Sequence, residues 1–561
     1  DYKSLQPNSV EGIQKYLGSG LIKGIGPSRA KIIVDHFGVE TLDIIDAKPE
    51  RLLEVKGVAR KTVEIIQKGW HAQKHIQEVM QFLLANNVSI TYAVKIYKTY
   101  GDDAIQMVME NPYRLSTDIW GVGFKTADQI AMNLGVDPRD PARIVAGARY
   151  VLQKHTEEGH VFVPLDDLIE ESTAFLDVEP DSISVALDTL VRSDEIVYEK
   201  DRVFMKPYYH AEQGIVRHLD RLINFPRSAT PEEQISLMIQ TVEKNRRITF
   251  NDHQKAAIHL SFTKGVMVLT GGPGTGKTTC VQGVIDLFKE IGSRVILTAP
   301  TGRAAKRLSE VTGSEAKTMH RLLEFNPRTR NFNKGWEDQL DADVVILDEV
   351  SMVDTIMMNA LLRAIPDTAR FIMVGDADQL PSVGAGNVLR DIISSHVVPP
   401  IHLTEIFRQA QESDIIMNAH RVNQGEMPDV SIRREGDFFF ISETDPAKGL
   451  EAIRGLCTQR LPQKYGFDAM EDIQILTPMY RGEVGVDQLN LALQQALNPS
   501  GASLKRGDKE LRVGDKVLQT RNNYDKMVFN GDIGRITSID PDAQQVHIQF
   551  GEPVVYDYSD L

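Results

Sequence analysis

The sequence predicts an α/β protein: a doubly wound parallel sheet, preceded by an all-α region and followed by a small β-barrel. Three observations predict it. From about residue 250, short apolar runs alternate with helical segments, at Val266–Thr270, Val295–Thr298, Val344–Leu347 and Phe371–Val374. Such runs suit strands buried on both faces of a parallel sheet. Residues 1–135 read instead as short helices joined by Gly-containing turns, and residues 511–557 are strand-rich, with Asn530-Gly531 as a hairpin turn.

The helical region carries a divergent internal repeat. One turn is Leu21-Ile22-Lys23-Gly24-Ile25-Gly26-Pro27, ahead of a helix with Ala30, Ile33, Val34 and Phe37 on one face. A weaker copy is Val55-Lys56-Gly57-Val58-Ala59, and a third is Ile119-Trp120-Gly121-Val122-Gly123. These turns resemble helix-hairpin-helix motifs, in which backbone N–H groups grip one phosphate without reading sequence. Gly24, Gly26, Gly121 and Gly123 are therefore candidate DNA contacts; the alternative is plain helix packing. Residues 140–210 read as helices followed by a hairpin, Ile196–Tyr198 and Val203–Met205, a winged-helix-like pattern. Residues 400–498 read as part of a second α/β domain.

A chain of 561 residues is too long for one ordinary core. The expected divisions are 1–138 for the hairpin repeats, 139–225 for the winged-helix-like domain, 226–398 for the first α/β domain, 399–505 for part of the second and 506–561 for the barrel. No apolar run approaches a bilayer span, and no secretory pattern follows Asp1, whose place at position 1 suggests that residues once preceded it. Two cysteines exclude a disulfide framework and a Cys-rich zinc site, and fit a reducing compartment. The net charge of −15 argues against coating nucleic acid by bulk charge but leaves room for local basic grooves. Residues 161–200, with eleven acidic residues against two basic ones, are a poor phosphate surface.

The chemistry concentrates after the first apolar strand. Gly271-Gly272-Pro273-Gly274-Thr275-Gly276-Lys277-Thr278-Thr279 fits G-x-x-x-x-G-K-[ST]. Glycines let backbone N–H groups turn inward around phosphate oxygens, and the following helix points its positive end at the same anion. Lys277 is expected on the β/γ-phosphates and Thr278 on Mg²⁺. Asp348 and Glu349 end another buried strand; Asp348 is expected to hold Mg²⁺ and Glu349 to polarise the attacking water. Gln379, in Gly375–Gln379, can bond both γ-phosphate and water. The amide of Gln254 can pair with adenine N6 and N7, or be a plain surface group. Arg408, in Leu403–Gln409, can reach a γ-phosphate from the second domain.

The loop Thr298-Ala299-Pro300-Thr301-Gly302-Arg303 suits a phosphodiester backbone, through Pro300, Thr301, Arg303 and helix N–H groups. Thr318 and His320 add candidate contacts, although His320 reads equally as a packing residue. Leu323–Phe332 resembles a β-hairpin. The fourteen histidines form no convincing metal cluster.

Together these segments resemble the RecD-like helicases of superfamily 1, in their N-terminally extended form. GGPGTGKTT (271–279), TAPTGRAAKRL (298–308), LDEVSMVD (347–354), VGDADQLPSVGAGNVL (374–389) and LTEIFRQ (403–409) carry the resemblance, and YLGSGLIKGIGPSRA (16–30) narrows it. The resemblance implies RecA-like P-loop motor domains, the second incomplete, and an SH3-like barrel. It implies 5′→3′ movement on single-stranded DNA, ATP and Mg²⁺ as cofactors, and strand separation in repair or recombination. It also implies a strand-splitting pin at 323–332 and a place for Arg481, in PMYRGEVGVDQLN (478–490), near the nucleotide. Single-stranded DNA and duplex forks are the expected partners, with no membrane, in the bacterial cytosol or nucleoid; protein partners are left open, a monomer being one option. Two further family motifs are absent before Leu561, as is the domain that usually precedes the hairpin repeats, so truncation at both ends is expected. The competing readings are a structure-selective DNA-binding protein that uses ATP as a switch, and a conjugative relaxase-helicase, whose His-rich, Tyr-nucleophile domain is not found.

Overall fold

The computed structural model describes residues 10, 13–14, 17, 27–55, 58–86, 88, 90–119, 121–227, 230–327, 329–431, 435–506, 509–520, 523, 526–528, 531–541 and 543–561. Gly24, Gly26, Gly57, Trp120, Arg328 and Asn530 lie outside them. The chain forms two compact units, one of residues 1–155 and 162–206, the other of residues 156–161 and 207–561.

The first unit is helical with one small sheet. Helices Pro27–Phe37, Thr41–Ala47 and Arg60–Ala85 close a core of Ala30, Ile33, Val34, Leu42, Ile45, Leu52 and Ile66. A second core joins helices Ile90–Tyr100, Ala104–Glu110 and Phe124–Asn133. Strands β1 (Phe162–Pro164), β2 (Ile196–Glu199) and β3 (Arg202–Met205) form an antiparallel sheet in the order β1-β3-β2. Lys200 turns the β2–β3 hairpin at φ 60°. Helices Leu165–Leu176 and Pro180–Arg192 bury Leu168, Ile183, Leu187 and Leu190 beside it.

The second unit is built on a six-stranded sheet. Its strands are β4 (Val266–Gly271), β5 (Val295–Ala299), β6 (Ala316–Thr318), β9 (Val344–Leu347), β10 (Arg370–Gly375) and β11 (Pro400–Leu403), between which β7 (Phe325–Asn326) and β8 (Asn331–Phe332) form a separate hairpin. The order is β11-β4-β10-β9-β5-β6, every pair parallel. Alternate residues of the strands enter opposite cores, because side chains alternate across a strand. Val266, Val268, Val345, Leu347, Phe371 and Met373 pack on one face with Leu222, Leu361 and Leu362. Met267, Leu269, Val344, Ile346, Ile372 and Val374 pack on the other with Ile258, Phe262, Val284 and Phe288.

Between residues 404 and 502 the described residues form helices, among them Asp414–Asn423, Pro446–Gly455 and Val486–Leu497, and no strand. This modifies the expectation of a second α/β layer. The apolar runs 438–441 and 473–476 belong to no strand or helix, with Phe440 51% and Leu476 91% exposed. A strand is stable only where neighbours complete its ladder.

The last segment is a β-hairpin, β12 (Ser503–Arg506) with β13 (Lys509–Arg512), and a four-stranded antiparallel meander. The meander runs β14 (Lys516–Leu518), β15 (Ile533–Asp540), β16 (Gln545–Gln549) and β17 (Pro553–Asp557) around Ile536, Val546, Ile548 and Tyr556. Buried Asp515 accepts from Arg512 N, Gln494 Nε2 and Asn498 Nδ2, tying the barrel to the preceding helix.

Candidate active site

Ligands of open parallel sheets sit outside the carboxyl ends of the strands, where the winding reverses. Here that crevice lies at the ends of β4, β10 and β9. In register, Leu269 pairs with Val374, and Met373 with Leu347. The loop after β10 is therefore interposed between the Gly-rich loop after β4 and the acidic pair after β9.

The Gly-rich loop is preformed. Gly274 and Gly276 adopt φ 74° and 80°, a region open to glycine without strain. Thr275 Oγ1 donates to Gly272 O at 2.9 Å. Helix Lys277–Glu290 starts at once, with Cys280 N closing on Gly276 O, so its N-terminal N–H groups face the loop. Lys277 Nζ donates to Gly271 O at 2.5 Å and Gly272 O at 3.0 Å. Burial pulls its ammonium below the usual lysine value, opposed by the charges of Asp376, Glu349 and Asp348. The hydroxyl-bearing Thr278 and Thr279 are exposed.

The acidic pair stands in the same field. Asp348 N donates to Thr298 O at 2.9 Å, and its Oδ1 accepts from Glu349 N at 2.9 Å. Burial first, and the charge of Glu349 second, push the Asp348 carboxyl up to about 6. Glu349 itself sits in left-handed backbone, which is strained for a residue with a Cβ.

Asp376, which the sequence reading did not single out, is 3% exposed. Its Oδ1 accepts from Asp378 N at 3.1 Å, and its Oδ2 from Gln379 Nε2 at 3.4 Å. It is the acid with the largest influence on Lys277. The available signal was its place one residue beyond a buried strand, the same place Asp348 holds. Gln379 is exposed and turned toward Asp376.

Gln254 is buried rather than a surface group. It completes a capping box with Asn251, and its Nε2 donates to Gly276 O at 3.3 Å. Each end of the amide thus has one partner within the protein, Oε1 accepting from Asn251 N at 3.1 Å, and each keeps a second bonding position. Arg408 opens the short helix Arg408–Gln411, and its side chain lies outside the described residues. Arg481 is exposed on a turn with no hydrogen bond or ion pair to the Gly-rich loop.

Residues of the following segment cover that loop, with no spacing in the sequence to announce it. Phe407 N donates to Gly274 O at 3.3 Å, and His420 Nε2 lies 3.0 Å from Pro273 O. A Cβ on Gly272 would meet the His420 ring at 2.6 Å, and one on Gly274 would meet Ala410 at 2.5 Å.

The candidate DNA contacts divide. Thr301 caps helix Gly302–Thr312 by accepting from Ala304 N at 3.2 Å, leaving Arg303 exposed beside it and Pro300 half-buried. Thr318 caps helix Met319–Leu322 in the same way. His320 is 9% exposed and packs at 5.8 and 5.7 Å from the rings of Phe325 and Phe332. It supports the hairpin from inside, which corrects the expectation of a DNA contact: burial against two aromatic rings turns the imidazole away from solvent. Burial holds its imidazole down to about 4. In the first unit, Gly121 is exposed at φ 84°, with Lys95 Nζ 3.4 Å from where a Cβ would stand. Gly123 caps helix Phe124–Asn133.

Four family models match: an AAA domain over residues 254–385, an ATP-dependent RecD2 DNA helicase HHH domain over 72–162, an ATP-dependent RecD-like DNA helicase SH3 domain over 489–550, and a SAM-like helix-hairpin-helix tandem over 20–72. An ATP-dependent RecD2 DNA helicase of Deinococcus radiodurans is 32% identical over 545 residues, 94% of this chain and 73% of that protein. A RecBCD enzyme subunit RecD of Mycolicibacterium smegmatis is 31% identical, over 53% of this chain and 59% of its own. The solved structure of Bacteroides Pif1 bound to ssDNA aligns at TM-score 0.27 and 18% identity, covering 55% of this chain and 74% of that one.

Proposed function

Because the chain belongs to the RecD2 family of ATP-dependent DNA helicases, we propose that it tracks along single-stranded DNA from 5′ to 3′ and splits forks, in DNA repair or recombination. One observation carries the reading of its site. Lys277, Asp348, Glu349 and Asp376, from three strand ends, act on one another electrostatically in a single crevice. Lys277 reaches the β/γ-phosphates once they displace the carbonyls of Gly271 and Gly272 from its ammonium. Gly272, Pro273, Gly274, Thr275 and Gly276 wrap the phosphates through backbone N–H groups. Glu349 takes the proton of the attacking water, and Gln379 reports the γ-phosphate.

The residues present fit a divalent cation. Two adjacent carboxylates repel one another, and the hydroxyl of Thr278 is exposed at the start of the helix. Asp348 and Thr278 would hold Mg²⁺, which when bound neutralises phosphate charge. The strand of DNA runs over the carboxyl edge past Pro300, Thr301, Arg303 and Thr318, largely through its phosphates and so without regard to sequence. Gly24, Gly26, Gly121 and Gly123 add duplex contacts in the first unit, and Arg408 and Arg481 complete the nucleotide's far side. No described helix is long and apolar enough to cross a membrane. From its bacterial relatives we place the enzyme in the bacterial cytosol or on the nucleoid.

The test is ATP hydrolysis by this chain with and without an unstructured single-stranded DNA. Strong stimulation supports the motor reading. Tight fork binding with no turnover under any DNA would replace it with that of a DNA-binding protein that ATP only switches.

A further inference from the structure

At the root of the β7–β8 hairpin an aromatic ring stands in solvent. Trp336 is 54% exposed, although indole is among the side chains most buried on average. The segment that bears it is tied to the hairpin: Asn333 N donates to Glu324 O at 3.2 Å and Lys334 N to Leu323 O at 3.1 Å. Gly335 N then donates to Asp338 O at 3.0 Å, and Lys334 Nζ pairs with Asp338 at 2.9 Å. The ring is therefore held on a stiff turn rather than swinging on a loop.

It is also backed. The guanidinium of Arg221 lies 5.3 Å from the indole centroid, and the His218 ring lies 6.3 Å away at 31°. Arg221 is fixed from every side, donating to Leu362 O at 2.6 Å, Ile365 O at 2.7 Å and His218 Nδ1 at 3.2 Å, and pairing with Asp367. Arg217 and Arg363 both bear on the charge of His218 beneath the ring, are exposed, and make no ion pair with a described residue. Arg363 Nε lies 3.3 Å from the Cβ position of Gly335, next to the Trp. A fixed, exposed aromatic face with unpaired arginines beside it is the chemistry that takes a base and its phosphates from a single strand. It stands in a chain whose net charge of −15 otherwise repels phosphate.

We propose that Trp336, with Arg217 and Arg363, is a stacking site for the strand that the hairpin pushes aside, separate from the groove of the tracked strand. The site rests on the reading of residues 323–332 as the pin. A base of the displaced strand stacks on the indole, and Arg217 and Arg363 meet its flanking phosphates. The site slows re-annealing behind the hairpin by keeping the displaced strand occupied.

The experiment uses the whole chain and two DNAs, a duplex with only the tracked-strand tail and a fork that adds the displaced-strand tail. Wild type is expected to bind the fork more tightly, and Trp336→Ala to lose about fivefold or more of that gain while binding the single-tailed duplex as before. Trp336→Phe keeps most of the gain, which separates loss of stacking from loss of fold. With Trp70 and Trp120 replaced by Phe, the emission of Trp336 is quenched by the displaced-strand tail alone. A gain that survives in Trp336→Ala, or a wild type that gains nothing from the second tail, overturns the site and leaves the helicase reading standing. Failure to bind even the single-tailed duplex overturns that reading too.

Discussion

The Oδ1 of Asp348 accepts a hydrogen bond from the backbone N–H of Glu349 at 2.9 Å, while Glu349 holds φ 55°. The first carboxylate thus fixes the strained turn that aims the second. The two acids divide the work, one anchored and raised toward 6, the other half-buried and presented to the crevice.

Glu349→Gln keeps the turn and removes the base. Turnover is expected to fall by about 10²–10⁴ while nucleotide affinity changes little. Single-turnover hydrolysis beside fluorescent-nucleotide binding checks it, and equal losses in both would show that Glu349 serves binding instead.

Lys277→Ala removes the ammonium that now bridges Gly271 and Gly272. DNA-stimulated hydrolysis should vanish while thermal unfolding and DNA affinity without nucleotide stay near wild type. Preserved turnover in this variant would sink the site assignment. It is the control for the hydrolysis assay.

Gly276→Ala puts a Cβ 2.4 Å from the Phe407 ring and 2.7 Å from Gln254 Nε2, at φ 80°. Left-handed strain and overpacking together should cost about 2–4 kcal/mol, read as a lower denaturation midpoint. If the midpoint does not move, the cover of Phe407 on the loop is not present in solution.

His320 carries a pH dependence with a definite sign. Its folded value of about 4 lies below the ordinary 6.5, so the fold prefers the neutral ring. The stabilisation is complete above about 6.5 and is lost as pH falls toward 4, amounting to about 2 kcal/mol at pH 5. Unfolding at pH 7 and pH 5 should show this loss in wild type and a smaller one in His320→Phe. An equal loss in both would place the titration elsewhere, with His218, also held near 4, as the next candidate.

The sequence by itself determined the strands and the chemistry at their ends. Buried runs such as Val344–Leu347 announce themselves because a parallel strand must be apolar on both faces, and the spacing of Gly271–Thr279 and Asp348-Glu349 belongs to local backbone geometry. Only the tertiary structure decided what lies across from what. Asp376 joins Lys277 because β10 is inserted between β4 and β9, an order that no local pattern encodes. His320 turns inward because Phe325 and Phe332 meet across a hairpin, and Gln254 is held by Gly276, 22 residues away. The same distinction explains the apolar runs 438–441 and 473–476: their composition suits strands, but a ladder is a relation between segments, and among the described residues they have no partner. Trp336 is likewise one ordinary aromatic in the sequence, and it becomes a platform only where the fold brings Arg221 and His218 beneath it.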